Sequence, residues 1–254
     1  MQTTGNTILI TGGTSGIGRA LAEAFYKLGN HVIVAGRRKA LLDEVTAANP
    51  GMASAVLDVE NLTNLTSFAA ELVQQHPKLN VLINNAGIMK TENLADGSDN
   101  SAAIAATVTT NLLAPLHLTA ALLPHLKKQP HATVMTVTSG LAFTPLAMTP
   151  TYCATKAAIH SWTQSLRYQL RHTSVEVLEL APPYVQTELQ GPRQLQDPRA
   201  MPLGDFIAEV MEILKTQPNA REILVQRAHP LRFAGEKGQA AYDEFFKMLN
   251  DSMH

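Results

Sequence analysis

The chain has 254 residues, 45% hydrophobic and 16% charged, a balance that suits one folded domain with a sizeable core and excludes a disordered chain. A formal net charge of -1 and the lack of any long block of like charge leave no electrostatic footprint for nucleic acid. Its single cysteine, Cys153, excludes an internal disulfide and fits a reducing compartment, and the start MQTTGNTILITGG lacks a basic n-region and a long apolar h-region; no stretch approaches the roughly 20 apolar residues of a membrane span, so a cytoplasmic protein without membrane association is expected.

Along the chain, short apolar runs alternate with helical patterns. Thr7 to Ile10 reads as a strand and runs into a glycine-rich turn. A helix follows with Ile17, Leu21, Ala24, Phe25 and Leu28 on one stripe and Gly29 as its stop. His31 to Ala35 and Ala53 to Leu57 are the next strands. Leu62, Leu65, Phe68, Ala69 and Leu72 mark a second helix before the strand Val81 to Ile83. Ser101 to Leu126 predicts a long helix interrupted by Pro115. Ala132 to Val137, a helix from Tyr152 to Arg171, and strands Val175 to Leu180 and Ile223 to Val225 complete the alternation. Most of these strands are apolar on both faces, as parallel strands buried between helix layers are. The predicted fold is therefore α/β: one domain over 1–254, a Rossmann-type doubly wound parallel sheet of about seven strands with helices on both faces. The stretch 188–204, rich in Pro, Gly, Gln and Arg, is expected to be a mobile lid loop within that domain. The late stripe Tyr242, Phe245, Phe246 and Leu249 predicts a C-terminal helix packing on the sheet or on a partner.

Chemistry concentrates at the ends of the strands. After the first comes Thr11-Gly12-Gly13-Thr14-Ser15-Gly16-Ile17-Gly18. Glycines there permit a tight turn and a close backbone approach to a pyrophosphate, and the following helix offers free N–H groups and a partial positive charge. Gly12, Thr14, Ser15, Gly16, Ile17 and Gly18 are accordingly candidate cofactor contacts. The second strand ends in Gly36-Arg37-Arg38, with no acid to hold a ribose hydroxyl. A guanidinium suits a 2′-phosphate, so Arg37 and Arg38 point to NADP(H) over NAD(H), although two arginines could also be solvated charges opening a helix. Asp58, beside Val59, is placed to accept from an adenine amino group or to cap the next helix. Asn84-Asn85-Ala86-Gly87 forms a turn after the fourth strand. Ser139 follows the fifth strand, and Tyr152 and Lys156 share one helix face at i and i+4.

These motifs, TGGTSGIG, NNAG, Asn111, Ser139 and Tyr152-Cys153-Ala154-Thr155-Lys156, resemble the short-chain dehydrogenase/reductase family in order and spacing. GRRKALLDEV, PPYVQTEL and REILVQRAHPLR also look like its DltE-type branch. The resemblance implies a hydride-transferring oxidoreductase with Asn111, Ser139, Tyr152 and Lys156 as catalytic tetrad. It places Asn85, Ala86 and Gly87 beside the adenosine side of the cofactor, with Asn84 also tying neighbouring strands. It places Val185 and Thr187 near the nicotinamide amide, with Lys156 also on the nicotinamide ribose. Here the chain departs from the family: Pro183 stands where a glycine is usual, which removes an N–H and restricts the turn.

In this reading Tyr152 is the acid in reduction and the base in oxidation. A free tyrosine titrates near about 10, and the Lys156 ammonium is expected to lower that value. Ser139 would hold the substrate oxygen, and Asn111 a water leading from Lys156 to solvent. Pro115 lacks the N–H that would bond the Asn111 carbonyl, so that carbonyl is expected to be freed and to face Lys156 directly or through a water. Leu141, Phe143, Leu146, Met148, Tyr184, Leu189 and Met201 are candidate pocket residues and suggest a hydrophobic carbonyl or secondary alcohol. The nine histidines show no zinc spacing, so no catalytic metal is expected. Cys153 reads as a packed thiol rather than a nucleophile. A homodimer or homotetramer is expected from the family's habit of pairing its long helices. A catalytically silent NADP(H)-binding regulator and a dehydratase or epimerase on the same fold are the alternatives.

Overall fold

The computed structural model describes residues 1–252. The apolar runs become β1 (Thr7–Thr11), β2 (His31–Gly36), β3 (Ala53–Val56), β4 (Leu79–Asn84), β5 (Ala132–Val137), β6 (Val175–Leu180) and β7 (Glu222–Ile223). They form one seven-stranded sheet in the order β3-β2-β1-β4-β5-β6-β7, and every neighbouring pair is parallel. The order reverses between β1 and β4, and ligands of such sheets bind in the crevice beyond the strand C-termini at that switch point.

Strand side chains alternate between the two faces, and the core divides accordingly. On one face Ile8, Ile10, Val32 and Val34 meet α1 (Gly16–Lys27), α2 (Lys39–Ala48) and α7 (Leu203–Thr216) through Leu21, Phe25, Leu42 and Phe206. On the other, Leu9, Ile33, Leu82 and Val134 meet α3 (Leu65–Gln75), α5 (Ala114–Leu126) and α6 (Pro150–Gln169) through Leu72, Leu118, Leu122 and Leu166. Fully buried side chains such as Phe25 and Phe206 each stabilise the domain by about 1.5–3 kcal/mol relative to exposure. The α1 stripe is Gly18, Leu21, Ala22 and Phe25. Leu28, expected inside it, is the exposed C-cap residue, and Gly29 follows at positive φ.

Three features depart from the sequence reading. Ser101–Leu126 is α4 (Ser101–Val108), a π-helical turn Thr109–Leu113, then α5. The N–H of Ala114 reaches back to the Thr109 carbonyl, and Pro115 falls at the second position of α5. The irregularity thus precedes the proline as an inserted residue, a form that recurs at functional sites. By length and composition this 26-residue run, with a stretch of mean hydropathy 1.3, would suffice to cross a membrane, contrary to the reading above; here Leu118, Leu122 and Leu126 are core residues of the domain. Finally, α9 (Gln239–Asp251), which follows the short α8 (His229–Arg232), forms the expected C-terminal helix but carries no fully buried residue, so of the two expected packings the one on the sheet is not seen. Asn250 fastens it to the loop after β5, donating to the Pro145 carbonyl and accepting from the Ala147 N–H.

Candidate active site

A cleft of about 720 Å³ opens beyond the C-termini of β1, β2, β4, β5 and β6. One end is walled by Gly12, Thr14, Ser15, Gly16, Ile17 and Gly18, with Arg37, Arg38 and Val59. Asn85, Ala86 and Gly87 line the middle, and Ser139, Tyr152, Lys156, Val185 and Thr187 line the far end. Asp58 is not in the wall; its carboxylate accepts from the N–H of Glu60 and shapes the turn after β3.

The glycine turn is forced by contact. Gly12 has φ +66, and a Cβ there would stand 2.9 Å from Ala86 Cα. A Cβ on Gly18 would meet the Gly12 carbonyl and Asn85 Nδ2 at 2.3 Å. Ser15, the N-cap of α1, is extended and makes no side-chain cap. The first N–H groups of α1 therefore lack an internal partner at the cleft, where an anion would satisfy them. Asn85 Nδ2 donates to the carbonyls of Thr11 and Gly12, and Thr11 Oγ1 accepts from the N–H groups of Asn85 and Ala86. Asn85 thus joins β4 to the glycine turn. Asn84, expected in that role, instead donates to Thr119 Oγ1 on α5.

At the far end Tyr152 and Lys156 lie in the first turns of α6, both about 5% exposed. The Lys156 ammonium donates to the Val137 carbonyl at 2.8 Å and sits 5.6 Å from the centre of the Tyr152 ring. Burial pushes the Tyr152 phenol up to about 12, opposed by a hydrogen bond from Ser139. It pushes Lys156 down to about 8. The phenol is thus raised on balance where a lowering was expected, because desolvation dominates, while the Lys156 ammonium is hydrogen-bonded to the Val137 carbonyl. Ser139 Oγ also accepts from the Leu141 N–H.

Asn111, in the π-helical turn, lies behind the wall. Its Oδ1 accepts from the Ile88 N–H, and its Nδ2 donates to the Ile88 carbonyl and to Thr155 Oγ1. A Cβ on Gly87 would come 3.4 Å from Asn111 Oδ1 and 3.7 Å from Lys156 Nζ, so the two side chains converge behind Gly87. The partner of Lys156 is the Val137 carbonyl, not the Asn111 carbonyl expected from the position of Pro115.

Of the expected pocket residues, Leu141, Leu146, Tyr184 and Leu189 line the cleft. Phe143 turns away to pack on His160 and Arg232, and Met201 pairs with Val185 in an isolated bridge. Met148 packs behind the wall beside Met89, Leu146, Tyr152 and Cys153. The Cys153 thiol is buried against Leu146, and burial raises its pKa. Sequence spacing placed Leu249 on a helix stripe without assigning it to the cleft, and it missed Leu231 and Ser252, which the C-terminal segment brings over the cleft, and Glu60 beside Arg37. No local periodicity could have found them, since each acts across the fold. Pro182 keeps its carbonyl on the Gly140 N–H, so the Pro182–Pro183 turn is held to the end of β5.

Comparison with known proteins gives the lineage. The short chain dehydrogenase family model matches residues 6–198. This chain belongs to the short-chain dehydrogenase family. It is 42% identical over 253 residues, 98% of both chains, to the uncharacterised oxidoreductase DltE of Bacillus subtilis, a relationship that places it among dehydrogenases of the DltE type. It is 31% identical over 195 residues to a short chain dehydrogenase of Pseudocercospora fijiensis, covering 75% of this chain and 63% of that one. A short-chain dehydrogenase from Streptomyces avermitilis superposes with TM-score 0.81 over 98% of both chains at 24% identity, a likeness of fold. A serine dehydrogenase complexed with NADP+ matches with TM-score 0.76 at 26% identity, over 85% of this chain and 93% of that one.

Proposed function

We propose that this oxidoreductase is an NADP(H)-dependent carbonyl reductase, reversible as an alcohol dehydrogenase, acting on a hydrophobic carbonyl or secondary alcohol. The observation that carries the reading is the single cleft in which an uncapped α1 N-terminus, a glycine turn that excludes Cβ atoms and the buried Tyr152–Lys156–Ser139 cluster face one another. The cradle fits a dinucleotide: the α1 N-terminus for the pyrophosphate, Arg37 and Arg38 for a 2′-phosphate, Asn85 to Gly87 along the middle, and Lys156, Val185 and Thr187 at the nicotinamide end. When bound, the nicotinamide supplies or takes the hydride.

The chain's own groups do the rest. The Ser139 hydroxyl donates to the substrate oxygen and stabilises the charge that develops there. Tyr152 gives its phenolic proton to that oxygen in reduction and takes one back in oxidation. Lys156 keeps a positive charge beside the phenol below about pH 8, which favours the phenolate left behind. Leu141, Leu146, Leu189, Leu231 and Leu249 present apolar surface and exclude water. The segment 188–204 is the proposed lid. It is tied down by the Val185–Met201 bridge and by the buried Gln194 donating to the Val185 carbonyl, while most of the other residues of 188–199 are exposed. The groove of Leu94, Ile104, Leu112, Ala154 and Ala158 offers an apolar face for a homo-oligomer.

The deciding experiment presents NADPH and NADH to a panel of aldehydes and ketones and follows nicotinamide absorbance. NADPH-dependent turnover of apolar carbonyls is the expected result. Tight NADPH binding with no turnover on any of them would replace the enzyme by a nucleotide-binding regulator.

A further inference from the structure

The proposed mechanism leaves one fully buried carboxylate unused. Glu179 on β6 is 0% exposed. Its Oε1 accepts from Thr138 Oγ1 at 2.7 Å, and His160 Nδ1 lies 2.9 and 2.8 Å from its two oxygens. His160 stands one turn beyond Lys156 on α6, so Tyr152, Lys156 and His160 follow one another at i, i+4 and i+8 on one helix face. Its outer nitrogen is engaged by Gln164 at 3.0 Å, and its ring meets Phe143 edge to face at 4.7 Å. Glu222, opposite Glu179 on β7, is paired with Arg232 at 2.7 Å, and Arg232 covers the other contact of Phe143. His160, Glu179 and Glu222 bring their ligand atoms within 4.8 Å of one another. The guanidinium of Arg232 already serves Glu222, and Thr138 and His160 serve Glu179, so the cluster is satisfied without a cation.

The place of Thr138 gives the cluster its consequence. Val137, immediately before it, supplies the carbonyl that holds the Lys156 ammonium; Ser139, immediately after it, lines the cleft together with Tyr152. We infer that Thr138, Glu179 and His160 form a buried brace of positioning residues that ties the end of β5 to α6 and sets Ser139 and Lys156 against Tyr152 for proton transfer. A buried carboxylate is costly unless its lone pairs are filled. Glu179 therefore pulls one partner from β5 and one from α6 to fixed distances. Reaction rates fall steeply when catalytic groups are misplaced by as little as about 1 Å.

The inference rests on the proposed reductase activity, and the test separates the two. Thr138→Val keeps the shape and removes the donor to Glu179; Thr138→Ser keeps the donor. Thr138→Val is expected to lower kcat by about ten-fold or more, with the KM for NADPH little changed and Thr138→Ser restoring most of kcat. His160→Gln, compared in parallel, is expected to lose kcat in the same way. Lower melting temperatures with unchanged kcat in Thr138→Val and His160→Gln would make the cluster a support of the fold alone and overturn the inference. Absence of NADPH turnover in the wild type would instead sink the proposed function. The brace is then read from the 13Cε resonance of Lys156, identified by its loss in Lys156→Arg. Displacement in Thr138→Val with restoration in Thr138→Ser supports it, and an unmoved resonance overturns it.

Discussion

The Tyr152 end and the Arg37 end of the cleft rest on different physics. Around Tyr152 the working groups are buried: Asn111 is 2% exposed, Ser139 8% and Lys156 5%. Each is held by backbone or buried side-chain partners that leave it one position. Around Arg37 the groups are in water, and the guanidinium, 56% exposed, pairs with Glu60 at 2.8 Å and lies 4.0 Å from Asp58. Exposed pairs of that kind contribute only about 0–1 kcal/mol and weaken with salt. Substitutions at the Arg37 end therefore disturb the fold little, whereas the Tyr152 end tolerates few changes because each partner lost leaves a buried polar group unsatisfied.

The sharpest way to break this contrast is at its buried end. Tyr152→Phe retains the ring and removes the proton donor. Turnover is expected to fall by about 10² or more, with NADPH binding, measured by fluorescence titration, within a few-fold of wild type. Near-normal turnover would take the acid role away from Tyr152.

A second test uses pH. Burial disfavours the charged form of both groups, so the Lys156 ammonium loses its proton early, near 8, and the Tyr152 phenol keeps its proton to about 12. Between those values both are neutral. The proposed carbonyl reduction uses the ammonium near the phenol. The rate profile is thus expected to be level below about 8 and to fall by about ten-fold per pH unit above it, while the phenol is still protonated. A decline that began only near the higher value would assign the limb to Tyr152 and deny Lys156 its electrostatic role.

The smallest effect belongs to the exposed end. Arg37→Ala is expected to narrow the preference for NADPH over NADH several-fold by weakening NADPH alone, and the difference should shrink at high salt. Glu60 limits its size, because Arg37 must leave that carboxylate to meet a 2′-phosphate. Equal kcat/KM for the two cofactors in the wild type, or a loss that strikes both alike, would remove Arg37 from cofactor choice.

How far each end could be read in advance follows the same division. Thr7 to Thr11, Gly12 to Gly18 and the Tyr152–Lys156 pair are legible because local periodicity and backbone chemistry dictate them: a strand with buried residues on both faces, a turn without room for Cβ, two side chains one helical turn apart. The proline at 115 correctly signals an irregular helix, yet its form is a π-helical turn before the proline, from which the Asn111 side chain reaches Ile88. Asn84 and Asn85 are indistinguishable as letters; strand β4 points the first at Thr119 and leaves the second for the Gly12 turn. Phe143 and Met201 look like pocket residues by composition, and the fold gives them to Arg232 and Val185 instead.

By itself, then, the sequence determines the alternation of strands and helices, the absence of a Cβ at the glycine turn and the face shared by Tyr152 and Lys156, since each is settled within a few residues by sterics and helical or strand period. Tertiary structure alone decides that Glu179 meets Thr138 and His160, that Glu60 meets Arg37, and that Leu249 from the last helix closes over the cleft. Those meetings join segments far apart in the chain, and only the packing of two helix layers on one twisted sheet brings them to hydrogen-bonding or van der Waals distance.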